Sequence, residues 1–460
     1  MATGEQVAII GGGISGLSAA YELSRRGIPF RLFERSDHLG GVIRTDVIDG
    51  FTIDGGPDSL LAQKPAAIAL CEELGLGPRL QPTLPPRTAY VLKNGHLCRL
   101  PEASVLGIPT RLGPLATSPL LSAAGKVRMA MELKTPRSTS DQDESVGSFF
   151  RRRFGEEAVA YIAEPLLAGI HAGDVERLSM RALFPRLVDT ERKHGSLIKG
   201  FRALRAAAPP SKDGQFRSLP DGLAELTRTI VEALDPGRLH TGHEVVGLSG
   251  SSPYQISFAS GEQIAATQVI LTVPAYVTAR IVSGLNADLG ALCLSIPYSS
   301  TATVALTYPS ASVGHRLNGT GFVVPRAEKQ WSLMAGSWVS SKWPHRAPEG
   351  HVLLRGFVGG ARDPDVLDRS DAELIEATHQ DFQHLLEISG SPGLARVYRW
   401  PRINPQHEVG HLEKLAAIDA QLAHLPGLLV AGAGFRGVGI PDCVENGRAA
   451  AVAAAKEAGE

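Results

Sequence analysis

The chain has 460 residues, of which 43% are hydrophobic and 20% charged; at roughly 150 residues per domain this points to several structural units. That much apolar side chain builds real cores and excludes wholesale disorder. The 46 Lys and Arg nearly balance 47 Asp and Glu, giving a formal net charge of -1, which excludes a nucleic-acid binder working through bulk charge.

In chain order, Val7–Ile10 reads as a strand, followed by Gly11-Gly12-Gly13-Ile14-Ser15-Gly16 and a helix with apolar positions Ile14, Leu17, Ala20, Tyr21 and Leu23. That spacing is helical, and Arg25, Arg26 and Gly27 close it. A second strand runs from Pro29 to Phe33 and ends at Glu34, completing a β-α-β unit. Residues 35–65 are glycine-rich, and 65–77 read as a helix. From about 97 to 215, proline breaks separate short apolar segments, which predicts a mainly helical insertion. A helix is expected over Phe216–Leu234 with Asp221 as its N-cap. Strands are expected at His243–Leu248, Tyr254–Phe258, Gln268–Val273, Thr303–Thr307, Gly321–Val324 and Val352–Val358. The tail repeats the opening: strand Leu428–Ala431, a glycine-rich turn, and an alanine-rich helix beginning near Asp442–Val444.

The G-x-G-x-x-G run carries a definite chemistry. Gly11 permits a tight exit from the strand, Gly13 leaves the backbone open to a pyrophosphate, and Gly16 lets the helix pack on the strand. The N–H groups at the helix start then face phosphate charge. Glu34, 18 residues beyond Gly16, is placed to accept ribose hydroxyls. A second glycine-rich turn, Gly40-Gly41-Val42-Ile43-Arg44-Thr45, replaces the further crossover of an NAD domain and suits a long enclosed dinucleotide such as FAD. Arg44 is expected beside it. The C-terminal run Ala431 to Pro441 aims another helix start at the flavin.

Four scattered cysteines (Cys71, Cys98, Cys293, Cys443) lack any C-x-x-C pair, so neither a disulfide framework nor a metal site is expected. Met1–Gln6 shows no leader pattern, and no apolar run reaches membrane-spanning length. A cytoplasmic location is expected, with at most peripheral membrane contact.

These motifs resemble the protoporphyrinogen and coproporphyrinogen oxidases within the amine-oxidase-like flavoproteins. The resemblance runs nearly end to end. It rests on VAIIGGGISGL (Val7–Leu17), ERSDHLGGVIRT (Glu34–Thr45), Gly56-Pro57-Asp58-Ser59, Gly107-Ile108-Pro109, EPLLAGIHAGDVERLS (Glu164–Ser179), Arg346-Ala347-Pro348-Glu349, Phe357-Val358-Gly359-Gly360 and GVGIPDCVEN (Gly437–Asn446). It implies an α/β (α+β overall) architecture: a discontinuous Rossmann-like FAD-binding unit (1–80, 216–278 and 422–460), a mixed-sheet substrate unit (81–97 and 279–421) and the helical insertion (98–215). FAD contacts are then expected at Gly11, Gly12, Gly13, Ile14, Ser15, Gly16, Glu34, Gly41, Val42, Ile43, Arg44, Val245, Ala433, Val438, Gly439 and Ile440.

The same resemblance implies a substrate pocket. The carbonyl of Gly169 would accept pyrrole N–H groups, Phe357 would stack on a ring, and Val323 and Trp338 would flank it. Asp58 is expected to orient N–H groups or to cap the following helix; His171 is expected to be structural. Ala89 stands where plant and animal relatives carry a propionate-binding arginine. Lys64, matching a lysine of the coproporphyrinogen-type branch, and Arg87 are the cations expected to bind propionates. The implied reaction removes six electrons from a porphyrinogen in three flavin cycles, with molecular oxygen as acceptor, in haem synthesis. A ferrochelatase is the expected protein partner, and the chain is expected to be a monomer or homodimer. Coproporphyrinogen III is favoured over protoporphyrinogen IX because four propionates need more cations than two. An amine oxidase or carotenoid desaturase on the same scaffold, or a non-catalytic porphyrin-binding flavoprotein, are the alternatives.

Overall fold

The computed structural model describes residues 7–101, 104–207 and 213–457; Met1–Gln6, read above for a leader pattern, lies outside them. Val7–Ile10 is the middle strand of a five-stranded parallel sheet ordered Leu239–His240, Phe30–Phe33, Val7–Ile10, Gln268–Leu271, Leu428–Val430. Val7–Ile10 and Gln268–Leu271 are buried throughout, as the largely apolar inner strands of a doubly covered parallel sheet are. Alternate residues face opposite layers. Val7, Ile9, Leu32 and Ile270 pack with Leu17, Leu23, Leu70, Leu226 and Val444 of the helices on one side. Ala8, Ile10, Phe33 and Leu271 pack on the other against the antiparallel strands Val245–Ser249 and Tyr254–Phe258 and the helices Ala275–Val282 and His411–Leu422.

A second, seven-stranded sheet is ordered Ala395–Pro405, Tyr298–Pro309, His351–Gly359, Ala335–Trp338, Gly321–Val323, Ala89–Lys93, His96–Arg99. All its neighbours are antiparallel except Gly321–Val323 beside Ala89–Lys93. One face is covered by the helix Asp371–Leu386, whose Leu374, Phe382 and Leu386 meet Tyr90, Val304, Phe322, Trp338 and Leu354. That helix starts with a capping box between Ser370 and Glu373. Residues 104–207 are mainly helical around their own core, including Phe149, Phe150, Phe154, Ile162 and Leu197. Arg153 is fully buried there, paired with Glu132 and Glu191, so its charge is compensated rather than stranded. No helix among the described residues is long and apolar enough to cross a membrane.

Two local expectations are corrected. Phe216–Ser218 is a strand, and the helix begins only at Ala224. Asp221 does not cap it but pairs with Arg79 at 2.9 Å. The free N–H groups at that helix start are taken by distant side chains instead: Leu223 donates to Asp54 (2.8 Å) and Ala224 to Thr45 Oγ1 (3.1 Å). The C-terminal helix spans Ile440–Glu457, starting earlier than its glycine-rich approach suggested, because Pro441 fits the first turn.

Candidate active site

The two ends of the chain meet at the glycine-rich turn. Gly11 has φ +109°, and a Cβ there would lie 2.8 Å from Thr272 Oγ1; a Cβ on Gly16 would lie 1.9 Å from the Gly11 carbonyl oxygen. Both positions therefore require glycine, for turn geometry and for close helix–strand packing. Gly13 differs: a Cβ there meets nothing within 4 Å. The helix Ile14–Arg25 starts at Gly13 with no side-chain cap, so no capping side chain satisfies its first N–H groups. An uncapped helix start of this kind can receive an anion. Ile14 and Ser15 form its first turn and are buried.

Glu34 ends the second strand, where its carboxylate accepts from Gly12 N (2.7 Å) and from Ser36 N and Oγ (2.9 and 2.8 Å). It ties the turn to the next strand while keeping lone pairs for a further donor. Gly40 donates to Gly12 O at 2.8 Å, bringing Gly41, Val42 and Ile43 against the first turn. Arg44 is exposed, beside Asp46 and over the Tyr398 ring at 5.8 Å. Val245 is buried, pairing with Phe258.

From the other end, Ala433 follows Gly432, whose φ of +109° equals that of Gly11, and Val438 and Gly439 lead into the helix at Ile440. Asp442 accepts from Gly439 N at 3.1 Å. Two stacked histidines support this loop. His407 and His411 lie 3.8 Å apart, and their Nε2 atoms donate to the carbonyls of Ala433 (3.0 Å) and Phe435 (2.9 Å). A carbonyl only accepts, so both rings carry the proton on Nε2. Burial pushes the His407 imidazolium down to about 3, with His411 adding to it, and burial lowers His411 as well.

The most specific motifs of the sequence touch each other. Gly360, at φ +67°, would bring a Cβ within 2.7 Å of the Ala172 carbonyl oxygen, and Ala361 donates to that oxygen at 2.9 Å. This contact sets the segment Gly169–His171 against the end of His351–Gly359. Gly169 is half-buried, and its carbonyl accepts from Ala172 N at 3.1 Å, leaving a second lone pair. Beside it, Arg326 pairs with Glu164 (3.8 Å) and Asp174 (3.3 Å); burial raises the Glu164 carboxyl. His171 packs edge-on against Phe184 at 5.8 Å. Its pKa is lowered to about 4, by burial first and then by the charge of Lys64.

On the seven-stranded sheet, Val323, Ala335 and Phe357 lie in one cross-strand row on the face opposite the helix Asp371–Leu386. All three are half-buried. Trp338 does not join them. Its register puts it on the covered face, fully buried against Tyr90 (5.3 Å) and His315 (4.8 Å). Ser337 takes the position facing the same way as Phe357, since alternation along a strand decides the face.

The expected cations are also placed differently. Lys64 Nζ lies 2.7 Å from both carboxylate oxygens of Asp442, so it links the Lys64 turn to the C-terminal helix. Arg87 is exposed and donates to Thr83 O at 2.8 Å. Asp58 neither caps a helix nor presents a free oxygen. It accepts from Lys342 Nζ (3.1 and 2.9 Å), Trp343 Nε1 (3.3 Å) and Ser59 Oγ (2.9 Å), with Arg355 at 3.6 Å. Burial works to raise the Asp58 carboxyl, but Lys342 and Arg355 overturn it and hold the group well below the usual carboxylate range. Sequence reasoning missed Lys342 and Arg355. The signal was available in Arg355, a lone charge inside the apolar strand V-L-L-R-G-F-V.

Residues 14–455 match the family described as flavin containing amine oxidoreductase. The chain is 39% identical to the coproporphyrinogen III oxidase of Bacillus subtilis (strain 168), covering 97% of each, and 33% identical to that of Staphylococcus aureus, covering 97% and 98%. The mitochondrial protoporphyrinogen oxidase of Nicotiana tabacum is 30% identical over 96% of this chain and 93% of that one. A crystal structure from Exiguobacterium sp. 255-15 superposes with a TM-score of 0.87 at 32% identity, covering 99% of both chains. Reduced UDP-galactopyranose mutase, at TM-score 0.73 and 18% identity, shares the fold. The open Gly13 cradle, the uncapped helix start and the second glycine turn fit the dinucleotide that such proteins carry. The chain belongs to the flavin containing amine oxidoreductases, and it is an FAD-dependent oxidoreductase.

Proposed function

We propose that this chain oxidises coproporphyrinogen III to coproporphyrin III, with dioxygen as the terminal acceptor, in haem synthesis. One observation carries the reading furthest. The contact between Ala172 and Gly360 joins the Gly169 segment to the end of the strand that carries Phe357, which supports a pocket drawing on both. The relatives named coproporphyrinogen III oxidase at 33–39% identity support the choice of substrate over protoporphyrinogen.

Bound FAD would supply two-electron oxidation, so the six electrons of a porphyrinogen would require three rounds. The chain's own residues bind and orient. Gly13, the first turn from Ile14 and the Gly439–Ile440 helix start hold the dinucleotide, and Glu34 serves its ribose. Val323 and Phe357 give the macrocycle an apolar face. The spare lone pair of the Gly169 carbonyl accepts a pyrrole N–H. Being neutral, that oxygen orients the ring rather than removing its proton. Asp58 is ionised and saturated by its donors, so it is not the proton acceptor. We divide the chain accordingly into the discontinuous dinucleotide unit, the sheet unit holding substrate and the helical unit between them.

The test is a side-by-side aerobic assay of porphyrin fluorescence with coproporphyrinogen III and protoporphyrinogen IX. A kcat/KM at least tenfold higher for coproporphyrinogen III is expected. Equal rates on both would overturn the substrate choice, and turnover of amines alone would overturn the reaction class.

A further inference from the structure

The group Asp58, Lys342 and Arg355 contains two cations and one carboxylate. Among the described residues, no other carboxylate forms a salt bridge with Lys342 or Arg355. The Nε of Arg355 is buried without a hydrogen-bond partner. The neighbouring pair Arg346–Asp54, at 3.1 Å, is neutral in itself. A surplus of one positive charge therefore stands in a largely dehydrated place, where an unmatched charge costs stability unless an anion arrives.

We propose that Lys342, seated on Asp58 and backed by Arg355, is the subsite for a carboxylate side chain of the porphyrinogen. This rests on the porphyrinogen reading above. Its position supports it. Arg355 and Phe357 lie two residues apart on one strand, hence on one face, with the guanidinium 5.0 Å from the Phe357 ring. Arg355 also donates to Gly56 O, and Gly56 packs against Val42 so closely that a Cβ would lie 1.9 Å from the Val42 carbonyl oxygen. The charge surplus thus sits where the FAD-binding turn meets the wall for the macrocycle.

Access separates the two cations. Arg355 is 1% exposed and Lys342 14%. The Lys342 ammonium lies 5.1 Å from the Trp343 ring and 5.8 Å from the ring of Phe216, itself 41% exposed, so of the two cations it is the one nearer the surface. An ammonium has three donors. Those used by Lys342 go to Asp58, and among the described residues the remaining one has no hydrogen-bond acceptor. An incoming carboxylate would take it as a charge-assisted bond and bring the group to neutrality. Lys64, the cation expected from sequence, is already neutralised by Asp442.

The experiment uses holoenzyme of the wild type, Lys342→Met and Lys342→Arg. Steady-state oxidation of coproporphyrinogen III is measured, with FAD content and flavin absorbance recorded on the same samples. The fluorescence of bound coproporphyrin III and of its tetramethyl ester gives affinities for the charged and uncharged product. Lys342→Met should raise KM tenfold or more, the scale of one hydrogen bond to a charged group, with kcat within threefold and FAD content unchanged. Lys342→Arg should restore KM to within threefold of wild type. The methionine variant should lose affinity for the acid and not for the ester. An unchanged KM in an active enzyme, equal losses for acid and ester, or loss of FAD in both variants would overturn the subsite. A wild type inactive on every porphyrinogen would instead overturn the reading of function, and the subsite with it.

Discussion

Gly447 of the C-terminal helix lies against Ser15 of the first helix so closely that a Cβ on it would sit 2.1 Å from the Ser15 carbonyl oxygen. The chain's two ends are held together by backbone contact at the glycine-rich turn proposed to bind the dinucleotide. Gly447→Ala should therefore destabilise the protein by about 1–3 kcal/mol, the usual cost of overfilling a packed contact. Purified protein should also carry less FAD. Thermal unfolding and the flavin-to-protein absorbance ratio check this; a variant with wild-type values of both contradicts it.

The His407–His411 stack predicts a pH dependence. Burial depresses His407 to about 3 and His171 to about 4, and lowers His411. An unfolded histidine titrates near 6.5. As pH falls below that value, the unfolded chain takes up protons that the folded chain refuses, so stability is complete above about pH 6.5 and declines towards the folded values. The melting temperature of the holoenzyme should fall steadily from pH 6.5 to 4.5, and His407→Gln should flatten that slope while weakening FAD retention. A slope unaltered by His407→Gln would show that the stack does not govern it.

Phe357 and Trp338 are predicted to separate cleanly. Trp338 is fully buried on the covered face of its sheet, so Trp338→Ala should cost about 3–5 kcal/mol of stability. Phe357 is half-buried on the other face, and Phe357→Ala should raise KM for coproporphyrinogen III several-fold with a smaller stability loss. Kinetics and denaturant unfolding on both variants decide it. The reverse pattern would place the substrate on the wrong side of the sheet.

Lys64→Ala removes a half-exposed ion pair with Asp442, an interaction worth about 0–1 kcal/mol. KM for coproporphyrinogen III should change less than threefold. A tenfold rise would return Lys64 to substrate binding and count against the assignment to Lys342.

Much of the fold was legible because its signals are local. Strand Val7–Ile10, the glycine turn and the helix to Arg25 follow from apolar spacing and the three glycines; Gly11 and Gly16 each have a separate steric reason in the structure, and a side chain on Gly13 would meet only open space. The proposed substrate wall was legible only in part. Val323 and Phe357 share a face, but the face of Trp338 depends on strand register, which a motif does not carry. The cap of the helix Ala224–Glu232 comes from Asp54 and Thr45, 169 and 179 positions away, while the local candidate Asp221 turns outward to Arg79. Lys64 looked like a free cation because Asp442 is 378 positions distant. Pairing of charges across the chain decides which cation is left to meet a ligand, and no local pattern reveals it.

The central claim is tested most directly by mixing the oxidised holoenzyme with coproporphyrinogen III under strict anaerobiosis in a stopped-flow spectrophotometer. Rapid loss of the flavin absorbance band, followed by its return and the appearance of coproporphyrin when oxygen is admitted, is the predicted result. A flavin band that stays unchanged with coproporphyrinogen III, and bleaches only with an amine or a polyene, would contradict the account.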